Sequence, residues 1–270
     1  MFQSEFMRLA FAVGILLSVI LPLVGSTAVY KRLSMTGDAL AHTSLAGVAI
    51  GLACGLNPLV TSVLLCVVAM LVIELIRKKF SKFSELGVAV VLSFGIGLAG
   101  VLSSFTKTSS FDQYLFGSIL LIDHLELYMV LGVFVLDVLF YVFFHKQIFA
   151  AIYNEEEAKV QGINVGLINF LQSLLLALTI ALSAKTIGSL VVSSLIVIPI
   201  AASLQCKRNY LETILIAIGV SFASTVSGLT FSYYQDLKPG ATIVLFSVFL
   251  LVLFLAIGTL AKLFRRRKKC

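Results

Sequence analysis

The chain has 270 residues, of which 60% are hydrophobic and 12% charged, with a formal net charge of +7. A soluble domain is typically about half apolar and about a quarter charged, so an ordinary soluble fold is excluded. The surplus Lys and Arg residues gather in short clusters between apolar runs, which is the pattern of membrane loops and not of a nucleic-acid-binding face. The expectation is an all-α polytopic membrane protein, with residues 1–270 forming a single transmembrane domain.

A crossing takes about 20 mainly apolar residues. On that measure the spans are 7–29, 39–56, 58–76, 84–104, 120–144, 166–184, 187–205, 211–231 and 241–262, about nine in all within a range of eight to ten. The first could pass for a leader peptide, since Arg8 precedes an apolar stretch and Ser26-Thr27-Ala28 are small. Its weak basic start and direct run into Lys31-Arg32 favour a membrane helix. Lys31-Arg32, Arg77 to Lys82, His145-Lys146, Lys207-Arg208 and Arg265 to Lys269 fall on alternate connections. This places the N-terminus outside and the C-terminus in the cytoplasm.

The second span opens Gly37-Asp38-Ala39-Leu40-Ala41-His42. Residues four apart share a helix face, so the Asp38 carboxylate and the His42 imidazole project together. An ionisable group at the centre of a membrane helix costs roughly 2.5–3.5 kcal/mol on insertion scales and commonly marks an ion or substrate path. Carboxylate and imidazole also suit a first-row divalent metal, so Asp38 and His42 are the candidate ligands. The plainer alternative makes Asp38 the cap of a helix beginning at Ala39, with His42 satisfied inside the bundle. Gly47, Gly51 and Gly55 repeat every four residues in the same segment, a stripe expected to admit a neighbouring helix.

Further along, Ser103 to Gln113 reads as a solvated loop and Phe111 to Ile122 as a separate surface or re-entrant helix. Asp123, His124 and Glu126 form a cluster at the expected outer end of the fifth span, suited to attract a cation or simply a wetted helix start. Asp137 has no ionisable neighbour within one turn, which implies a partner on another helix and a structural role. Asn154 is a good N-cap, Glu155, Glu156 and Glu157 fill a first turn, and Gly162 is a stop, so 154–162 should be a short helix. It is either an inert solvated face or a docking element for an energy-transducing partner. Glu74 reads as an interfacial partner of Arg77 or Lys78, and Lys185 as a residue that snorkels to the interface.

Cys54, Cys66, Cys206 and Cys270 show no paired metal-site spacing. There is no Gly-x4-Gly-Lys-Ser/Thr loop, no His-Glu-x-x-His and no Gly-x-Ser-x-Gly, so ATP binding of the P-loop kind, zinc proteolysis and serine esterase chemistry have no visible machinery.

The Gly37 to Gly51 block resembles the permease subunits of ATP-binding-cassette importers for zinc and manganese. Lys185 to Pro199, Tyr114 to Leu120, and Gly228 to Ser232 with Pro239-Gly240 agree with that family in the same order. The resemblance implies a non-enzymatic homodimeric permease with no permanently bound cofactor. Its partners would be a cytoplasmic ATPase pair that binds ATP and an extracytoplasmic solute-binding protein that delivers Zn2+ or Mn2+. It implies that Asp38 and His42 are intramembrane metal-binding positions, and that Glu155, Glu156, Glu157 and Gly162 lie where the permease meets its ATPase. Manganese-type sequences often carry proline where this chain has Ala46, which favours zinc. The alternative is a secondary transporter or channel, proton-coupled through Asp38, Asp137 and His42.

Overall fold

The computed structural model describes residues 5–80, 84–104, 124–206 and 208–267, with side chains placed for 7–80, 85–104, 124–206 and 208–258. Asp123, the Phe111–Ile122 segment and the Tyr114–Leu120 motif lie outside the described residues. Every regular element among the described residues is a helix: α1 (Glu5–Tyr30), α2 (Thr36–Cys54), α3 (Pro58–Lys79), α4 (Ser84–Ser103) and α5 (His124–Tyr153). They continue with α6 (Glu155–Val160), α7 (Val165–Ile187), α8 (Ser189–Leu204), α9 (Tyr210–Gln235) and α10 (Pro239–Arg267). Within these, 8 helices are long and apolar enough to cross a membrane. The chain is a multi-pass membrane protein.

Local chemistry sets most boundaries. The Asn57 side chain accepts a hydrogen bond from Leu59 N–H with Pro58 at the first helical position of α3, where a missing N–H costs nothing. Asn164 caps α7 through Leu167 N–H. Three boundaries differ from the sequence expectation. The fifth span does not stop at residue 144: α5 runs 30 residues to Tyr153, because no Gly or Pro falls between residue 144 and the Asn154 cap. The sixth span runs past Thr186 to Ile187 and breaks at Gly188, whose φ of 94° is accessible to glycine and strained for other residues. The seventh span, α8, has 16 residues and so extends about 24 Å, short of a straight crossing of roughly 30 Å.

Packing sorts the helices into inner and outer sets. α1 lies against α5, α7, α8 and α9, while α2 lies against α3, α4, α7 and α8. Leu17, Ile20, Leu21, Leu40, Ile180 and Leu195 are fully buried in the shared core. The outer helices α3, α4, α5 and α10 instead expose rows that include Leu64, Leu75, Phe94, Phe143 and Leu245, as a surface solvated by acyl chains requires. α9 and α10 close as a hairpin, with Thr242 Oγ1 donating to the Gly228 carbonyl at 3.0 Å.

The glycines of α2 divide by role. A Cβ at Gly47 would sit 2.5 Å from Ser62 Cα, and one at Gly51 would sit 2.6 Å from Pro58 Cα, so α3 crosses at backbone contact there. Gly55 does not extend the stripe. It ends α2 as a left-handed C-cap at φ 68°, with nothing within 4 Å of a would-be Cβ. Over-packing of this kind costs about 1–3 kcal/mol, so Gly47→Leu should destabilise the detergent-solubilised protein by about that amount in thermal or denaturant unfolding. Gly97→Ala, which meets open space, should leave the midpoint unchanged, and equal stability of both variants would show that the α2–α3 crossing is loose.

Candidate metal-binding site

The site is a short open stretch on the enclosed first part of α2. From Thr36 to Ala49, Asp38 and His42 are the residues of α2 that are not buried. Their side chains remain 35% and 21% exposed, respectively. The enclosure has specific causes. A Cβ on Gly37 would meet the Ile196 side chain of α8 at 3.1 Å. One on Gly95 of α4 would meet Thr43 N at 3.0 Å and the His42 carbonyl carbon at 3.3 Å. Ser44 and Ser62 share a hydrogen bond of 2.8 Å across the α2–α3 contact, and the Cys66 thiol donates to the Leu40 carbonyl at 3.4 Å. Residues 39–41 and 43–49 are thus committed to neighbours.

Asp38 is not the helix cap. α2 begins at Thr36 after Met35, with no side-chain cap hydrogen bond, and places Asp38 in its first turn. There the carboxylate lies near the positive end of the helix dipole. His42 Nε2 and Asp38 Oδ1 are 3.7 Å apart, beyond a hydrogen bond. A tetrahedral ion with metal–ligand bonds near 2.0–2.2 Å separates its donor atoms by roughly 3.3–3.6 Å. The pair therefore needs only a small rotamer adjustment to share an ion. Among the described residues no group of three or more His, Cys, Asp or Glu side chains is assembled for a metal. One chain offers two protein ligands here, which is an incomplete set.

The other candidates separate clearly. Glu126 takes the Lys185 ammonium at 2.6 Å, which joins α5 to α7. Lys185 therefore ends in an ion pair at 22% exposure instead of snorkelling. His124 is exposed at the start of α5. Asp137 is fully buried and accepts a hydrogen bond of 2.6 Å from Thr179 Oγ1, while its Oδ1 has no partner. Its helix, α5, packs on α1 and α7 and makes little contact with α2. Asn154 caps α6 by accepting from Glu156 and Glu157 N–H groups, and Gly162 follows at φ 79°. Glu155, Glu156 and Glu157 are all exposed, and Glu155 Oε1 also accepts from Asn169 Nδ2 at 3.2 Å.

Sequence reasoning passed over Gly95, which sets the α2–α4 crossing behind His42. It also passed over Asn169, Gln172 and Ser173, whose three- and four-residue spacing within an apolar span was a readable signal of a polar helix face.

Residues 3–258 match the model of the ABC 3 transport family. A protein named "probable metal transport system membrane protein" in Treponema pallidum is 38% identical over 95% of this chain and 97% of its own length. The high-affinity zinc uptake system membrane protein ZnuB of Haemophilus influenzae is 34% identical over 91% of this chain and 95% of its own. The manganese transport system membrane protein MntC of Listeria innocua is 26% identical over 99% and 96%. A solved structure of PsaBC from Streptococcus pneumoniae in complex with Fab shares the fold, with a TM-score of 0.82 at 22% identity over 93% of this chain and 91% of that one. With its helical bundle and this match along nearly its whole length, the chain belongs to the ABC 3 transport family.

Proposed function

We propose that the chain is the permease of an ATP-driven importer that moves a divalent transition metal ion, with zinc ahead of manganese, into the cytoplasm. The observation that carries the reading is the state of the first part of α2: α2 is packed by four helices, and between Thr36 and Ala49 it is open at a carboxylate and an imidazole one turn apart. An inert membrane helix has no reason to keep two ionisable side chains at a gap in otherwise close packing. The names of the zinc and manganese relatives support the cargo class. The higher identity to the zinc relative, and Ala46 beside Gly47, favour zinc.

Two ligands per chain call for a second copy. A homodimer that brings two α2 helices to one pathway supplies two carboxylates and two neutral imidazoles, enough for one tetrahedral ion without a closed thiolate cage. Sparse oxygen and nitrogen ligation is strong enough to replace hydration and weak enough to release. ATP hydrolysis belongs to a separate cytoplasmic ATPase pair, and an extracytoplasmic binding protein presents the ion. In this arrangement α6, with its three glutamates, lies on the cytoplasmic side and is the surface the ATPase moves. Asp137 stands apart from the path as a structural acid, hydrogen-bonded within the α5–α7 contact.

Asp38→Ala and His42→Ala should each lower zinc uptake by roughly tenfold or more, since even groups that only support a ligand are worth roughly 10–100-fold in metal affinity. The measurement is radiolabelled zinc uptake in cells lacking their own importers, with permease abundance and ATPase association followed in parallel. Normal uptake by the double variant removes the pair from the pathway. Reversing Glu155, Glu156 and Glu157 to lysine should leave the permease in the membrane yet raise the ATP consumed per ion transported. A ratio equal to wild type would make α6 an inert surface.

A further inference from the structure

A second polar cluster lies where α1, α3, α6 and α7 converge. Lys31, one residue beyond α1, donates to Asn169 Oδ1 at 2.5 Å and, less closely, to Gln172 Oε1 at 3.4 Å. Asn169 uses its other end to donate to Glu155 Oε1 on α6. On the far side of the same cleft, Glu74 accepts from Ser173 Oγ at 2.8 Å and from Arg77 at 2.9 Å. Asn169, Gln172 and Ser173 are each buried to nine-tenths or more. The α7 side of the network therefore lies in the protein interior, where a hydrogen-bonded polar group is costly to unpair, while Glu155 reaches it from the exposed surface.

Two polar atoms in this cleft have no partner. Gln172 Nε2 and Thr36 Oγ1 are both buried and unsatisfied, and both residues line the cleft beside Lys31 and Glu74. Thr36 opens α2, two residues before Asp38. Unpaired buried groups are rare in settled structures. Here both line one cleft, so a shift of the network can offer them partners, as an element that switches between two discrete states requires.

We infer that Lys31 and Asn169 are positioning residues that tether α6 to the bundle and pass its movement, through α7 and the Gln172–Thr36 cleft, to the start of α2. The inference rests on the proposed coupling role of α6 and names the residues that carry it. Asn169 is the hinge pin, because its amide binds α6 with one end and Lys31 with the other. A displacement of Glu155 pulls on Asn169 and so on Lys31 and Gln172. Glu74 and Arg77 hold α3 to α7 on the opposite wall.

The charge on Lys31 gives the tether a measurable signature. Burial, with Arg77 of α3 close by, pushes its amine down to about 8, against the opposing pull of Glu155 on α6 and Glu74 on α3. The side chains that α7 presents, Asn169, Gln172 and Ser173, are uncharged. Lys31 thus passes from mostly charged to mostly neutral between about pH 7 and about pH 9, losing its attraction for Glu155 over that window. An arginine in its place stays charged throughout.

The test uses the permease–ATPase complex in proteoliposomes, with buffered zinc, reading zinc uptake and phosphate release together. Lys31→Met and Asn169→Leu should raise ATP consumed per zinc ion by roughly threefold or more, within the range of coupling energies that such substitutions carry. Lys31→Arg should keep the wild-type ratio at about pH 7 and, unlike wild type, hold it at about pH 9. Wild-type ratios in Lys31→Met and Asn169→Leu, beside an altered ratio in the α6 charge reversal, overturn the tether and leave the transport reading standing. Should the substituted proteins not accumulate, Lys31→Arg decides alone: a pH dependence identical to wild type overturns the inference. Uptake independent of ATP in the wild-type complex would instead sink the proposed function itself.

Discussion

A helix is enclosed by four others only where its backbone comes close to theirs, and α2 meets that condition through residues with no side chain to hold neighbours off. Gly47 and Gly51 admit the start of α3, Gly37 admits α8, and Gly95 on α4 reaches the backbone of His42 and Thr43. In lipid there is no hydrophobic force between helices, so such van der Waals contact supplies much of the association. The same contacts leave Asp38 and His42 at the gap. Packing and candidate chemistry are therefore one arrangement: tightening α2 on every other face is what isolates two polar side chains on the remaining one.

Several polar residues outside that gap are paired across helices. Lys185 with Glu126 joins α7 to α5, Thr179 with Asp137 joins the same two helices further along, and Ser173 with Glu74 joins α7 to α3. α7 is the common partner in each. Breaking one member of such a pair strands the other in a medium of low dielectric, so these contacts fix the register of α7 against the bundle. A helix held this way moves as a unit when pulled at one end. That property suits α7 to lie between a surface helix, α6, and α2, against which it packs.

Much of this was legible in the chain itself. The number and approximate limits of the spans follow from hydropathy, since a bilayer of given thickness demands apolar runs of given length. The paired projection of Asp38 and His42 follows from helix geometry, and the capped α6 from Asn154, three glutamates and Gly162. Boundaries were less legible where the rule is conformational: the turn between α7 and α8 rests on the positive φ of Gly188 alone, and Thr186 looked the more natural break. The alternative reading of Asp38 as a cap, a position aspartate favours, fails because the helix starts earlier, at Thr36.

What the sequence determined by itself was local and periodic: membrane helices, their caps, and which side chains share a helix face. The tertiary structure decided which faces meet. It distinguished Gly47 and Gly51, at backbone contact, from Gly55, a C-cap. It gave Lys185 a partner on α5 and linked Lys31, Glu74, Glu155 and Asn169, far apart in the chain, into one polar cluster. The reason is physical. A repeat of 3.6 residues specifies a stripe on one helix, but a contact between stripes depends on the rotation and depth of two helices, and only the packed bundle fixes both.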